Sequence, residues 1–261
     1  MPRLLAPVRL SPHLYVVYSE SPHIHSGNVY LVTGARPTLI DCGSRRAVPT
    51  LVDNLAQLGV AVSDLHQVIA THGDFDHTQG YHDLRQAHPD LQLSIHYHDH
   101  ALVQGTDPYR TSSYLYGDQF VPFSAEHCQP LGDGDMLPAG DTHLTVVHAP
   151  GHTEGSICLH GDIDGHTVIF TGDVVGGSMK SLDGADLHVW VEALAEWVLS
   201  LNRLAGLEFD WLLNGHEPAA TLPLTRADFD RKRRMFGKML NPWFALGEDD
   251  PDRVPVAVHA D

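Results

Sequence analysis

Cysteine is scarce in this 261-residue chain: Cys42, Cys128 and Cys158 are its only three. An odd number without close spacing excludes a disulfide framework and a zinc knuckle, and it suits a reducing compartment. Basic residues are also few. Sixteen Lys and Arg face thirty-three Asp and Glu, a formal net charge of −17 with the histidines neutral. So negative a surface repels phosphate backbones, so neither nucleic acid nor an anionic membrane is an expected partner. The one basic run, Arg231-Lys232-Arg233-Arg234, reads as a solvated helix end. No apolar run approaches the roughly 18–20 residues of a membrane span. The first residues lack the apolar stretch of a signal peptide. The expectation is a cytoplasmic protein acting on a small molecule.

Histidine, in contrast, is abundant, with twenty copies. Most cannot be metal ligands, so the question is which few are. The densest chemistry lies in Thr71-His72-Gly73-Asp74-Phe75-Asp76-His77. It follows Gln67-Val68-Ile69-Ala70, a short apolar run that reads as a buried strand, and precedes a helix predicted over 78–87. The motif therefore occupies a strand-to-helix turn, where open α/β sheets place their chemistry. Imidazole and carboxylate are the ligands that borderline and hard divalent cations take, and a cation relieves the crowding of such groups. An exposed polar turn is the alternative for the motif taken alone.

The remaining pattern predicts one domain over 1–261. Strands are expected at 14–18, 28–32 and 38–40, then a helix over 46–58 stopped by Gly59. Residues 91–96 alternate like a half-buried strand. His96, His98 and His100 beside Asp99 resemble a second metal cluster, but Asp99 reads as the N-cap of a short helix that splays these histidines apart. Residues 105–123 carry Tyr109, Tyr114, Tyr116 and Phe120 without a clear period, as a flap over a substrate or as plain surface packing. Turn chemistry at 131–137 leads into strands at 144–147, 156–159 and 167–170. A long helix over 187–205 shows Val191, Leu194, Ala195, Val198, Leu201 and Leu204 at helical spacing. A strand at 209–213, a helix over 226–239 and a Pro- and Asp-rich tail over 241–261 complete the chain.

Residues able to bind metal recur where these later strands end. Asp173 follows Phe170-Thr171-Gly172, His216 follows Leu213-Asn214-Gly215, and a Pro-Gly turn presents His152 in His148-Ala149-Pro150-Gly151-His152-Thr153. Each alone is more often a cap or a satisfied polar residue than a ligand. Their order on one sheet layout makes coincidence implausible.

On these motifs the chain resembles the metallo-β-lactamase-fold hydrolase superfamily over roughly residues 12–220. The segment 132–172 and Pro150-Gly151-His152-Thr153 look most like its glyoxalase-II-like branch. The resemblance implies an α/β fold, an αββα sandwich of two mixed sheets flanked by helices. It implies two divalent metal ions, zinc first, with His72, Asp74 and His152 on one and Asp76, His77 and His216 on the other. Asp173 would bridge them. A metal-bridging hydroxide would be the nucleophile, with Asp76 orienting it and moving a proton to the leaving group. Asp41, ending a strand, would fix a ligand histidine's tautomer; a turn cap is its alternative role. The family pattern has histidine where this chain has Asp74. A carboxylate there makes the first position harder and favours iron or manganese, and flavodiiron proteins of the superfamily carry one at the corresponding place. The expected activity is hydrolysis of a small ester, thioester or lactone. An iron-dependent oxidoreductase of the sulfur-dioxygenase kind, a phosphodiesterase and a non-catalytic scaffold are the alternatives. Pro242-Trp243-Phe244 suits a homodimer contact, a flap or packing equally.

Overall fold

Strand alternation in the first part of the chain builds two apolar faces at once. The computed structural model describes residues 6–19, 24–105, 111–175 and 187–240, with helix side chains in the last stretch over 196–205 and 226–234. Leu14, Val16, Tyr30, Val32, Ile40 and Ile69 point to one core, while Val17, Leu31, Leu39 and Val68 point to another. That is the period-2 consequence of the pleat.

The strands are β1 (Val8–Arg9), β2 (Leu14–Tyr18), β3 (Val29–Val32), β4 (Thr38–Ile40), β5 (Gln67–Ile69), β6 (Leu93–His96) and β7 (Cys128–Leu131). They form one sheet in sequence order. β1 to β4 pair antiparallel, and β4 to β7 pair parallel. The parallel half needs three crossovers, and each contains a helix: α1 (Val48–Gln57) between β4 and β5, α2 (Phe75–Thr78) with α3 (Tyr81–Ala87) between β5 and β6, and the helix that follows β6 on the way to β7. Leu51 and Leu55 of α1 and Leu84 of α3 bury against the outer face of this sheet. α4 (Tyr97–Gln104) follows β6 directly.

The second sheet runs β12-β11-β10-β9-β8, from β8 (Met136–Ala139), β9 (Thr142–His148), β10 (Ile157–Ile163), β11 (His166–Gly172) and β12 (Trp211–Asn214). β11 and β12 are parallel, and the other pairs are antiparallel. α5 (Leu187–Ala205) makes the crossover between them, and α6 (Arg226–Leu240) follows. Trp197, Leu201, Leu204 and Phe229 of these helices belong to the same hydrophobic cluster as the buried residues of the second sheet. The architecture is the expected sandwich of two mixed sheets flanked by helices.

Several local expectations are corrected. The segment 131–137 is more than a turn: β7 and β8 flank it. The helix expected over 78–87 is interrupted at Gln79-Gly80. A Cβ on Gly80 would strike the carbonyl of Cys42, and the Gly80 N–H donates to the Gly43 carbonyl at 2.7 Å. Close backbone approach breaks the helix there. Asp99 is not an N-cap, because α4 begins two residues earlier with His96 as its cap. His96 and His98 consequently stay near each other, 5.4 Å between ring centres, and His148 stacks on His96 at 4.0 Å. Tyr109, the tail 241–261 and the side chains of Val191, Leu194 and Ala195 lie outside the described residues.

Phe170 tests the inter-sheet core. It is fully buried and meets the Tyr30 ring edge-on at 5.4 Å. Phe170→Ala should destabilise the fold by about 3–5 kcal/mol, read from urea unfolding midpoints. A loss below about 1 kcal/mol would mean that the sheets are not held together through this contact.

Candidate metal centre

Five strand ends or the turns beyond them converge on one spot. β4 leads to Asp41, and β5 leads to Thr71 and His72. The β9–β10 loop carries His152, β11 leads to Asp173, and β12 leads to His216. β4 with β5, and β11 with β12, run parallel, so their ends emerge on the same side. Glycines permit the close approach. A Cβ on Gly172 would strike Thr71 Oγ1, and one on Gly215 would strike Asp173 Oδ1.

The side chains assemble in two halves. In the first, His152 Nε2 lies 3.1 Å from Asp74 Oδ2, and His72 Nε2 lies 3.7 Å from the same oxygen. In the second, His216 Nε2 lies 3.4 Å from both Asp76 Oδ2 and His77 Nε2. Asp173 sits between the halves: Oδ2 is 3.1 Å from His216 Nε2 and 3.7 Å from His152 Nε2, while Oδ1 is 3.4 Å from His77 Nε2. All seven ligand-type residues read from the motifs are therefore in one place.

Asp41 holds the rear of this group. Its Oδ2 lies 2.8 Å from His77 Nδ1 and accepts from Thr71 Oγ1 at 2.9 Å, and its Oδ1 accepts from the Thr71 N–H at 2.7 Å. Because the Thr71 hydroxyl donates to Asp41, its lone pairs face His72 Nδ1 at 3.0 Å. Both imidazoles thus carry their protons on Nδ1 when neutral, and both present Nε2 lone pairs inward.

Electrostatics bind the group together. Burial disfavours protonation of His77, but the carboxylates of Asp173, Asp76 and Asp41 outweigh it and lift its pKa to about 9. His72, buried beside His77 and His152, is pushed down to about 4. Burial opposes ionisation of Asp173, yet His216, His77 and His152 hold it well below the usual carboxylate range. Among the described residues, His72 Nε2 and Asp173 Oδ1 are buried without a hydrogen-bond partner. Buried polar atoms left so are costly unless something else binds them. Two inward-facing orphan donor atoms, in a set of imidazole nitrogens and carboxylate oxygens, fit divalent cations. His72, His152 and Asp173 offer donor atoms within 4.8 Å of one another, as do His77, Asp173 and His216.

Three residues here escaped the motif reading. Asp99 is buried, and its carboxylate accepts from the Gly73 N–H (2.7 Å), the Gly155 N–H (2.8 Å) and Thr153 Oγ1 (2.6 Å). It braces the His72 loop against the His152 loop. Burial, opposed by these bonds, raises its pKa to about 6. Ser112, in the left-handed region at φ 60°, donates from Oγ to Asp74 Oδ2 at 2.9 Å. His25 Nε2 lies 3.2 Å from Asp76 Oδ2, and its ring stacks on Tyr116 at 3.7 Å. The segment 111–116 thus contacts the site through Ser112 and, by way of His25, through Tyr116. In the sequence Asp99 reads only as a helix cap, and no pattern marks His25 or Ser112. The His96, His98 and His148 rings stack among themselves and contribute to none of these donor groups.

A two-sheet sandwich with a histidine- and aspartate-rich centre at its strand ends defines a class of metal-dependent enzymes. The profile of the metallo-beta-lactamase superfamily matches residues 24–216, and the chain belongs to that superfamily. Among characterised proteins, it is 32% identical over 169 residues to acyl-coenzyme A thioesterase MBLAC2 of Homo sapiens, covering 57% of this chain and 58% of that one. The Gallus gallus counterpart is 33% identical over 201 residues, 69% of this chain and 67% of its own. Hydroxyacylglutathione hydrolase of Aeromonas hydrophila is 34% identical over 142 residues, 49% of each chain. The chain spans about half to two thirds of the length of these relatives. In fold it is similar to BJP-1, a subclass B3 metallo-beta-lactamase of Bradyrhizobium japonicum, with a TM-score of 0.72 at 19% identity, covering 91% of this chain and 93% of that one.

Asp99→Ala should remove the brace between the two loops. It should cost at least about 2 kcal/mol in stability and lower metal content after dialysis against a weak chelator. Unchanged stability together with unchanged metal retention would show that the loops hold their places without it.

Proposed function

We propose that this chain is a metal-dependent hydrolase of acyl thioesters or related small esters. The position of Asp173 between two imidazole–carboxylate halves carries the assignment. In this reading His72, Asp74 and His152 would hold one divalent ion, Asp76, His77 and His216 would hold a second, and Asp173 would be shared by the two. Bound cations supply a polarised carbonyl and a water acidic enough to attack near neutral pH. The chain's own groups do the rest. Asp41 and Thr71 keep the Nε2 atoms of His77 and His72 directed inward. Asp76 Oδ2 orients the attacking water and moves a proton toward the departing thiolate. The loop bearing Ser112 and Tyr116 limits solvent access, and the exposed rings of Tyr114 and Tyr116 offer aromatic surface to an acyl chain.

The thioester preference is supported by the relatives, whose names include an acyl-coenzyme A thioesterase and a hydroxyacylglutathione hydrolase. These relatives do not favour the phosphodiesterase and oxygenase alternatives. Zinc is the first choice of metal, with the Asp74 carboxylate drawing the first position toward iron or manganese. A cytoplasmic location accords with three free, buried cysteines. No helix among the described residues is long and apolar enough to cross a membrane.

Protein purified without chelator should hold about two divalent ions per chain and release thiol from a small acyl thioester. Asp173→Ala should lose both ions together and drop turnover by about 10³-fold or more. Full metal content with an ordinary rate in that variant would refute the bridge.

Asp74→His should keep the fold and shift metal preference at the first position toward zinc. Reconstitution with equimolar zinc, manganese and iron reads this directly. The same metal profile in both proteins would mean that Asp74 does not select the metal.

A further inference from the structure

His25 belongs to no motif, yet its imidazole reaches into the second half of the centre. It lies just before β3, on a segment anchored to the residues around it. The Gly27 N–H donates to the Asp76 carbonyl at 2.9 Å, and the Asn28 N–H donates to the Gly215 carbonyl at 2.6 Å. A Cβ on Gly27 would overlap the His77 ring, so only glycine lets the segment come this close. The segment is thus fixed to the residues preceding both His77 and His216. His25 is then oriented from outside by Tyr116, whose ring lies 8° from parallel to it. The result is a ring with Nε2 3.2 Å from Asp76 Oδ2. The donor atoms of His25, Asp76 and His216 lie within 4.8 Å of one another, as do those of the other two donor groups.

We infer that His25 is a metal ligand of the second position, added to Asp76, His77 and His216. The assignment rests on the reading of those three residues as ligands. It has a chemical logic within this chain. Asp74 takes an imidazole away from the first position, and His25 supplies one to the second. The two positions then differ in kind: the first offers two imidazoles and a carboxylate, the second three imidazoles and a carboxylate, with Asp173 shared. Nitrogen-rich sets suit zinc, and carboxylate-rich sets suit manganese or iron. A ligand gathered from the segment before β3 also ties metal occupancy to the loop that carries Tyr116.

The alternative is that His25 only donates a hydrogen bond to Asp76 from outside the coordination sphere. Proton NMR of the cobalt-loaded protein separates the two, because a coordinated imidazole shows a strongly contact-shifted, solvent-exchangeable Nδ1–H resonance. His25→Ala and His25→Gln should each show one such resonance fewer than the unmodified chain. Both should also bind the second cobalt ion more weakly, by about tenfold or more. The glutamine variant keeps an N–H donor toward Asp76 and guards against a packing defect in the alanine variant. If either folded variant retains every contact-shifted resonance of the unmodified chain, His25 is not a ligand. If the unmodified chain takes up cobalt at the second position and only the His25 assignment fails, the dinuclear reading stands. Failure of the unmodified chain to take up cobalt at all would overturn both.

Discussion

The centre depends first on the Asp41 carboxylate. One oxygen meets His77 Nδ1 and the Thr71 hydroxyl, and the other takes the Thr71 N–H. Through Thr71 the same carboxylate also sets the tautomer of His72. A neutral imidazole has one lone pair, and which nitrogen carries it is decided by the partner of the other nitrogen. Asp41 therefore decides what two histidines present to the interior. Its place is built into the sheet: Asp41 sits one residue past β4 at φ 60°, its N–H donating to the Ile69 carbonyl of the parallel neighbour. A residue in the left-handed region at a strand end turns the chain sharply, and aspartate tolerates this better than most. Asp41 thus acts as both turn and anchor.

Backbone contacts complete what Asp41 begins. The Cys42 N–H donates to the His77 carbonyl, and Gly80 packs on Cys42, so the short helix after the motif is fixed to the turn after β4. Asp99 fixes the opposite edge by joining Gly73 to Gly155 and Thr153. The ligand-type residues sit mainly on loops, but each loop is tied to a strand or to another loop by bonds that do not involve the ligand atoms. Stability and reactivity are therefore partly separated. The supporting bonds are satisfied within the protein, whereas His72 Nε2 and Asp173 Oδ1 remain without hydrogen bonds.

The pattern of strands and helices was legible because buried strands and amphipathic helices write their periods into the sequence. The seven motif residues that meet at the centre stood out by dense spacing, by strand-end position or, for His152, by a Pro-Gly turn, and the family resemblance joined them into one set. What could not be read was support from a distance. Asp99 looked like a helix cap because capping is the commonest local role of such an aspartate. Its actual partners are 26 and 54 or more residues away in sequence. His25 lay in a stretch rich in histidine and proline that nothing tied to a ligand pattern. Ser112 is one of many serines, and only the fold shows it reaching Asp74. The edge strands β7 and β8 were missed for another reason. Their burial is patchy, with exposed residues at Gln129, Pro130 and Met136, so they carry no apolar run.

The departure at Asp74 follows the same logic of supporting bonds. Asp74, Asp76 and Asp173 are three carboxylates in one buried centre, and Asp41 stands directly behind it. Like charges in such a space raise one another's cost, and only the surrounding imidazoles or cations offset it. Histidine at position 74 would reduce that burden, so the carboxylate must bring something else. Its Oδ2 accepts from Ser112 while facing His152, and the backbone carbonyl of Asp74 takes the Thr78 hydroxyl. The Phe75 N–H, next in the chain, bonds the Thr111 carbonyl at 3.0 Å. Asp74 therefore ties the loop at 111–116 to the centre with a strong, charge-assisted hydrogen bond. The carboxylate thus couples the centre to the loop at 111–116.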